Sequence, residues 1–229
     1  MKIFLDSADF EIMKKTKNSN IIDGYTTNPS LMKKHGIVNY MEFVKKVTDE
    51  IDLPISFEVF SDDIFEMERQ ALILHSFGEN VYVKIPVINT KGVSTIDLVG
   101  RLIERGVKVN LTAVFEIEQL YLLKDVLIKD ISVIISVFAG RIADTGIDPI
   151  LILSQIIDEF SDHDDCDILW ASVREIFNFY QAEELGCDII TLPIDLLRKL
   201  KFKNKNLFQY SMETVKQFYD DAQDVGYVV

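Results

Sequence analysis

Short apolar runs alternate along the chain with longer amphipathic stretches. Eight of the runs read as strands: KIFLD, IDGYTTN, ISFEVF, VYVKIPV, KVNLTAV, VIISVFAG, ILWASVR and DIITLPI. They are rich in β-branched and aromatic residues and apolar on both faces, the pattern of strands buried in a parallel sheet. Between them lie helical patterns such as DDIFEMERQALILHSFG, VSTIDLVGRLIERG, PILILSQIIDEFS and REIFNFYQAEELG, several closing on glycine as helix ends do. Seven steps of about 26 residues separate Asp6 in the first run from Thr191 in the eighth, close to a βα unit of roughly 30 residues with its second strand. Eight such units predict an α/β fold, one (β/α)8 TIM barrel spanning residues 1–229. A further helical stretch at 207–226, LFQYSMETVKQFYDDAQDVG, has no barrel position to fill. It is expected to cover one end of the barrel or to pack on a neighbour.

Composition narrows the class. With 48% hydrophobic residues the chain can bury one large core. The start, MKIFLDSADF, lacks the apolar core of a signal peptide, and no run approaches the roughly 18 apolar residues of a membrane span. A cytoplasmic protein is expected, in a host's cytoplasm if the gene is viral. Cys166 and Cys187 stand far apart without a C-x-x-C, which suggests neither a disulfide scaffold nor a thiolate metal site. The net charge of −13 argues against nucleic-acid and anionic-membrane partners, so an anionic substrate needs local positive charge. The one basic run, RKLKFKNKN at 198–206, reads as the solvated end of a helix.

The anomaly is Lys84, inside the fourth strand. An ammonium is almost never buried without a partner, and desolvation favours the neutral amine, which is a nucleophile for carbonyl carbon. A lysine at the strand's end that snorkels to water is the alternative. The other strand ends favour a site. Barrel chemistry sits where the strands end, and residues two apart share a strand face. The ends offer Asp6, then Thr26 and Asn28, Ser56 and Glu58, Lys84, Asn110 and Thr112, Ser136 and Phe138 with Arg141, Ser172 with Arg174, and Thr191. A lysine, two carboxylates and two arginines on one rim carry desolvation costs that a merely structural rim avoids.

Lys84 near Asp6 and Glu58 could add to a ketone and form a Schiff base whose iminium is an electron sink for carbon–carbon cleavage. Each arginine alone reads as a surface ion pair. Together with Ser172, Arg141 and Arg174 read as a phosphate clamp, because guanidinium matches phosphate oxygens in a bidentate way. No nucleotide-binding glycine motif follows a strand, and the histidines at 35, 75 and 163 are scattered, so neither a nucleotide nor a metal is expected. The acidic stretch SDHDDCD at 161–167 reads as a solvated turn. An isomerase using the same clamp, and a non-catalytic binding barrel, are the readings from other classes.

Seven ordered motifs, LDSAD, GYTTNPSLM, VKIPV, NLTAVF, VFAGR, WASVR and ITLPIDLL, resemble the transaldolase family, in its short branch that includes the fructose-6-phosphate aldolases. The likeness runs from Lys2 to about Leu197. It implies that Lys84 forms the Schiff base, that Asp6 takes the proton of the C4 hydroxyl, and that Glu58 and Thr112 hold the catalytic water. It also implies that Asn28, Asn110 and Ser136 bind the donor's hydroxyls and that Arg141, Ser172 and Arg174 bind phosphate, with no cofactor. Family aldolases carry glutamine on the third strand and tyrosine in the sixth-strand motif, where transaldolases carry glutamate and phenylalanine. This chain has Glu58 and Phe138, which implies a transaldolase of the pentose phosphate pathway acting on sugar phosphates, with a fructose-6-phosphate aldolase as the alternative. The resemblance also implies a homo-oligomer, a ring of five or ten subunits with the last helix packed between neighbours. The chain departs from the family in SVFAGRIADTG, where proline more often precedes the aromatic residue, and in a tail without tryptophan.

Overall fold

The structure is a computed structural model that describes residues 1–227. Eight parallel strands pair in chain order and close on themselves: β1 (Lys2–Asp6), β2 (Gly24–Thr26), β3 (Ile55–Glu58), β4 (Val81–Pro86), β5 (Val109–Val114), β6 (Val133–Val137), β7 (Cys166–Trp170) and β8 (Ile189–Leu192). The last register, Ile3 with Ile190, seals the barrel. The expected (β/α)8 architecture is therefore present. Around it lie α1 (Phe10–Thr16), α2 (Pro29–Lys34), α3 (Tyr40–Thr48), α4 (Ile64–His75), α5 (Ile96–Ile103), α6 (Ala139–Asp144), α7 (Pro149–Phe160), α8 (Phe177–Leu185), α9 (Ile194–Leu197) and α10 (Leu207–Val225). Local chemistry starts several of them: Asp9, Asn28, Asn39, Asp63 and Asp148 each accept a backbone N–H of the first helical turn.

Alternation along the strands sorts the core from the site. Outward residues such as Leu5, Val83, Ile85, Leu111 and Ile135 are fully buried in the main core cluster. Inward residues stack in layers. Lys2 pairs with Asp167 at 2.9 Å. Above them Phe4, Ile134, Leu169 and Ile189 pack together across the barrel. Gly24 makes room there, since a Cβ would meet the Phe4 ring at 2.6 Å. One step further along the strands the inward positions turn polar, and those are the strand ends singled out above.

The sequence pattern puts a helix after every strand, and β5 departs from it. Two 3-10 turns, Ile117–Leu120 and Lys124–Val126, follow it instead. A capping box between Glu116 and Gln119 opens the first turn, but its bonds run to the third residue, and Leu127 leaves the second turn extended. The C-terminal helix forms as expected, with Gly226 as its left-handed cap, and buries none of its residues. Among the described residues no helix is long and apolar enough to cross a membrane.

Candidate active site

Asp6 ends β1 opposite Thr26, whose hydroxyl donates to Asp6 Oδ1 at 2.9 Å. Just after β2 the backbone turns into α2 at Asn28. Its Oδ1 caps that helix by accepting from Leu31 N at 2.9 Å, which leaves the amide nitrogen for the Asp6 carboxylate it faces. Glu58, at the end of β3, stands in register with Lys84 of β4, and Lys84 with Asn110 near the start of β5. Lys84 is only 6% exposed. Its Nζ donates to the Thr27 carbonyl at 3.1 Å and lies 3.5 Å from Glu58 Oε2.

Both carboxyls are held above their usual range. Burial is the larger cause for each, and the Lys84 charge opposes it. For Glu58 the neighbouring Asp6 charge pushes the same way as burial. Two like charges share one amine here, and burial outweighs the amine's attraction.

The register shifts in β5 between Leu111 and Val114, where Ala113 takes φ 58°. This bulge sets Thr112 beside the cavity, and its Oγ1 is buried without a hydrogen-bond partner among the described residues. Behind it Asn110 joins three strands: its amide nitrogen donates to Ser56 Oγ at 2.9 Å and its Oδ1 accepts from Ser136 Oγ at 2.8 Å.

At the ends of β6 and β7 the chain brings two arginines to one side. Arg141 lies on α6 with its guanidinium 5.5 Å from the Phe138 ring centre. Ser172 adopts φ 62°, and its carbonyl oxygen sits so close to Gly140 that no Cβ fits between them. That approach draws the start of α6 onto the turn carrying Ser172 and Arg174. Arg174 forks onto Asp144, with Nε to Oδ1 at 3.1 Å and Nη2 to Oδ2 at 2.5 Å.

All residues expected at the site line one cavity of about 570 Å³, with the exception of Ser56 and Asn110. Asn110 is wholly buried, and its amide bonds Ser56 and Ser136 with one N–H and one lone pair left over. Three neighbours were not singled out from sequence. Lys34 also lines the cavity, Tyr40 donates to the Glu58 carbonyl, and Asp144 holds Arg174. The available signal for Asp144 was its place three residues after Arg141 on one helix face. The SDHDDCD stretch lines a separate cavity of about 450 Å³ beside Lys129 and Asp130. No group of His, Cys, Asp and Glu among the described residues is arranged to hold a metal ion.

The family described as Transaldolase/Fructose-6-phosphate aldolase matches residues 3–228. The chain is similar to a probable transaldolase of Methanococcus maripaludis, 34% identical over 201 residues that cover 87% of this chain and 89% of that protein. A probable transaldolase of Thermoanaerobacter sp. is similar to the same extent, 34% identical with the same shares covered. A third, of Bdellovibrio bacteriovorus, is 32% identical over 222 residues, 96% of this chain and 97% of the relative. The barrel and these likenesses define an enzyme of the aldolase and transaldolase type. The chain belongs to the transaldolase/fructose-6-phosphate aldolase family.

Proposed function

We propose that this enzyme is a transaldolase, moving a dihydroxyacetone unit between sugar phosphates through an imine on Lys84. One observation carries the reading: a lysine 6% exposed at the strand ends, with a carboxylate 3.5 Å from its Nζ. Lys84 Nζ adds to the C2 ketone of fructose 6-phosphate or sedoheptulose 7-phosphate, and the carbinolamine loses water to give an iminium. Asp6 takes the proton of the C4 hydroxyl as the C3–C4 bond breaks, its electron pair moving into the iminium, and an aldose phosphate leaves. The enamine then attacks glyceraldehyde 3-phosphate or erythrose 4-phosphate, Asp6 returns the proton, and water releases the ketose.

Glu58 and the otherwise unpartnered Thr112 hydroxyl hold the water that is lost and regained at C2. Thr26 fixes the Asp6 carboxylate. Asn28 and Ser136 hold the donor's hydroxyls, and Asn110 orients Ser136. Arg141, Ser172 and Arg174 take the phosphate. The iminium is the electron sink, so the chemistry calls for no cofactor. Transfer is favoured over simple cleavage because Phe138 offers no phenol to protonate the enamine. Its ring packs on Phe115, centres 6.0 Å apart, and the enamine waits for an aldehyde.

The test follows glyceraldehyde 3-phosphate released from fructose 6-phosphate, with and without erythrose 4-phosphate. Sustained release only with acceptor is expected. Sustained release without it would make the protein a fructose-6-phosphate aldolase. Borohydride should trap dihydroxyacetone on the wild type and leave Lys84→Met unlabelled; a labelled Lys84→Met would end the assignment of the imine to Lys84.

A further inference from the structure

We infer that Asp144 is a positioning residue for the phosphate end of the cavity, holding Arg174 by one edge of its guanidinium so that the other edge is presented to the ligand. This rests on the proposed reading of Arg141, Ser172 and Arg174 as the phosphate clamp.

A guanidinium carries five N–H donors on two usable edges. Asp144 takes Nε and Nη2. Nη1 and the second Nη2 hydrogen remain free, which is enough for a bidentate contact with phosphate. The rest of Arg174 is fixed as well. Its backbone N–H donates to Asn178 Oδ1 at 3.0 Å, and its Cγ passes over Gly140, 3.0 Å from where a Cβ would stand. The guanidinium itself is held by Asp144. Asp144 ends the helix that carries Arg141, so a single element sets both arginines. Arg141 makes no ion pair among the described residues, although its charge also reaches Asp144.

The opposite effect is competition: a carboxylate on the fork neutralises Arg174 and repels phosphate. Magnitude and placement decide between the two. The pair is half-exposed, 48% for Arg174 and 55% for Asp144. Exposed charge pairs of this kind change an equilibrium constant by less than about fivefold. The competing charge sits on the opposite edge of the guanidinium from the ligand, whereas loss of Asp144 frees the edge it holds, so binding should weaken by up to about fivefold when Asp144 is removed.

The test uses the full-length enzyme at about 0.15 M ionic strength, where distant charges are screened. Binding of inorganic phosphate is read from 31P line broadening, which needs no turnover and so stands apart from the fate of the imine reading. Asp144→Asn and Asp144→Ala are expected to weaken phosphate by up to about fivefold and to raise KM for fructose 6-phosphate by a similar factor, with a smaller fall in kcat. Asp144→Glu should recover part of the loss. Dihydroxyacetone, which has no phosphate, should still be trapped by borohydride in all three variants, which separates loss of the clamp from loss of the fold. Phosphate binding unchanged or tightened in both Asn and Ala variants overturns the inference, as does an equal loss of dihydroxyacetone trapping.

Discussion

The Tyr40 hydroxyl, at the start of α3, donates to the backbone carbonyl of Glu58 at 2.8 Å. On the far side of the same strand end, Gln70 Oε1 of α4 accepts from Phe60 N at 2.8 Å and Ser61 N at 3.2 Å. Side chains from two helices thus hold the exit of β3, and with it the direction in which the Glu58 carboxylate meets Lys84. Tyr40→Phe deletes one donor and keeps the ring against Phe57 and Phe60. It should cost about 1 kcal/mol of stability, the ordinary worth of one hydrogen bond. It should also lower kcat by about fivefold, through a shift of the carboxylate well short of 1 Å. Urea midpoints and steady-state rates on the same preparation check both. A stability loss with kcat intact would mean that Glu58 is aimed without Tyr40.

Burial raises the Glu58 and Asp6 carboxyls, so each holds its proton in the native state at pH values where the unfolded chain has lost it. Between the unfolded value, about 4.3 for a glutamate, and the raised native one, the native state binds more protons and stability falls as pH rises. Glu58→Gln removes that share of the penalty. Its urea midpoint should match the wild type near pH 4, exceed it increasingly as pH rises toward the raised native value, and keep a constant margin above that. A wild type that gains on the variant as pH rises would contradict the direction. In catalysis the acid limb of kcat/KM should lie above the ordinary carboxylate range and report apparent values of the coupled pair.

The strands were legible because burial on both faces writes itself as continuous apolar runs, and their equal spacing foretold a closed barrel. Lys84 was legible because a charge inside such a run has a cost that demands a reason. The short helices α1, α2, α6 and α9 were not, since four to seven residues are too few to show a helical period. The turns after β5 contradict the pattern for a local reason, the capping box that starts a helix which then fails to propagate. Asn110 shows the limit for side chains. Period two placed it correctly on the inner face, but its burial depends on Ser56 and Ser136, which lie 54 and 26 residues away. Asp144 was missed in the same way, since its partner Arg174 is 30 residues distant.

Gly140 is where the fold meets the proposed phosphate site. A Cβ there would overlap the Ser172 carbonyl oxygen, which belongs to a residue already at φ 62°. Backbone cannot yield as a side-chain tip can, so Gly140→Ala should cost about 3 kcal/mol, the upper part of the overpacking range. Whatever yields moves Ser172 and Arg174 away from Arg141, so KM for phosphorylated substrate should rise alongside the stability loss. A urea midpoint within error of the wild type would show that the two elements are free to separate.

Helix α10 sets Phe208, Met212, Val215 and Tyr219, all exposed, at the spacing of a single helical stripe, and buries no residue in its own subunit. A stripe of this kind marks an interaction surface more often than bare solvent. Phe202 stacks on Tyr210 with ring centres 5.5 Å apart, so the helix is tethered at its start while its stripe stays exposed. We propose that a second copy of the chain covers it. Val215→Glu puts a charge in the middle of the stripe and should dissociate the assembly toward the 26.3 kDa of one chain, with Val215→Leu leaving it assembled. Light scattering during size exclusion distinguishes them, and a wild type already at the mass of one chain would remove the need for any partner.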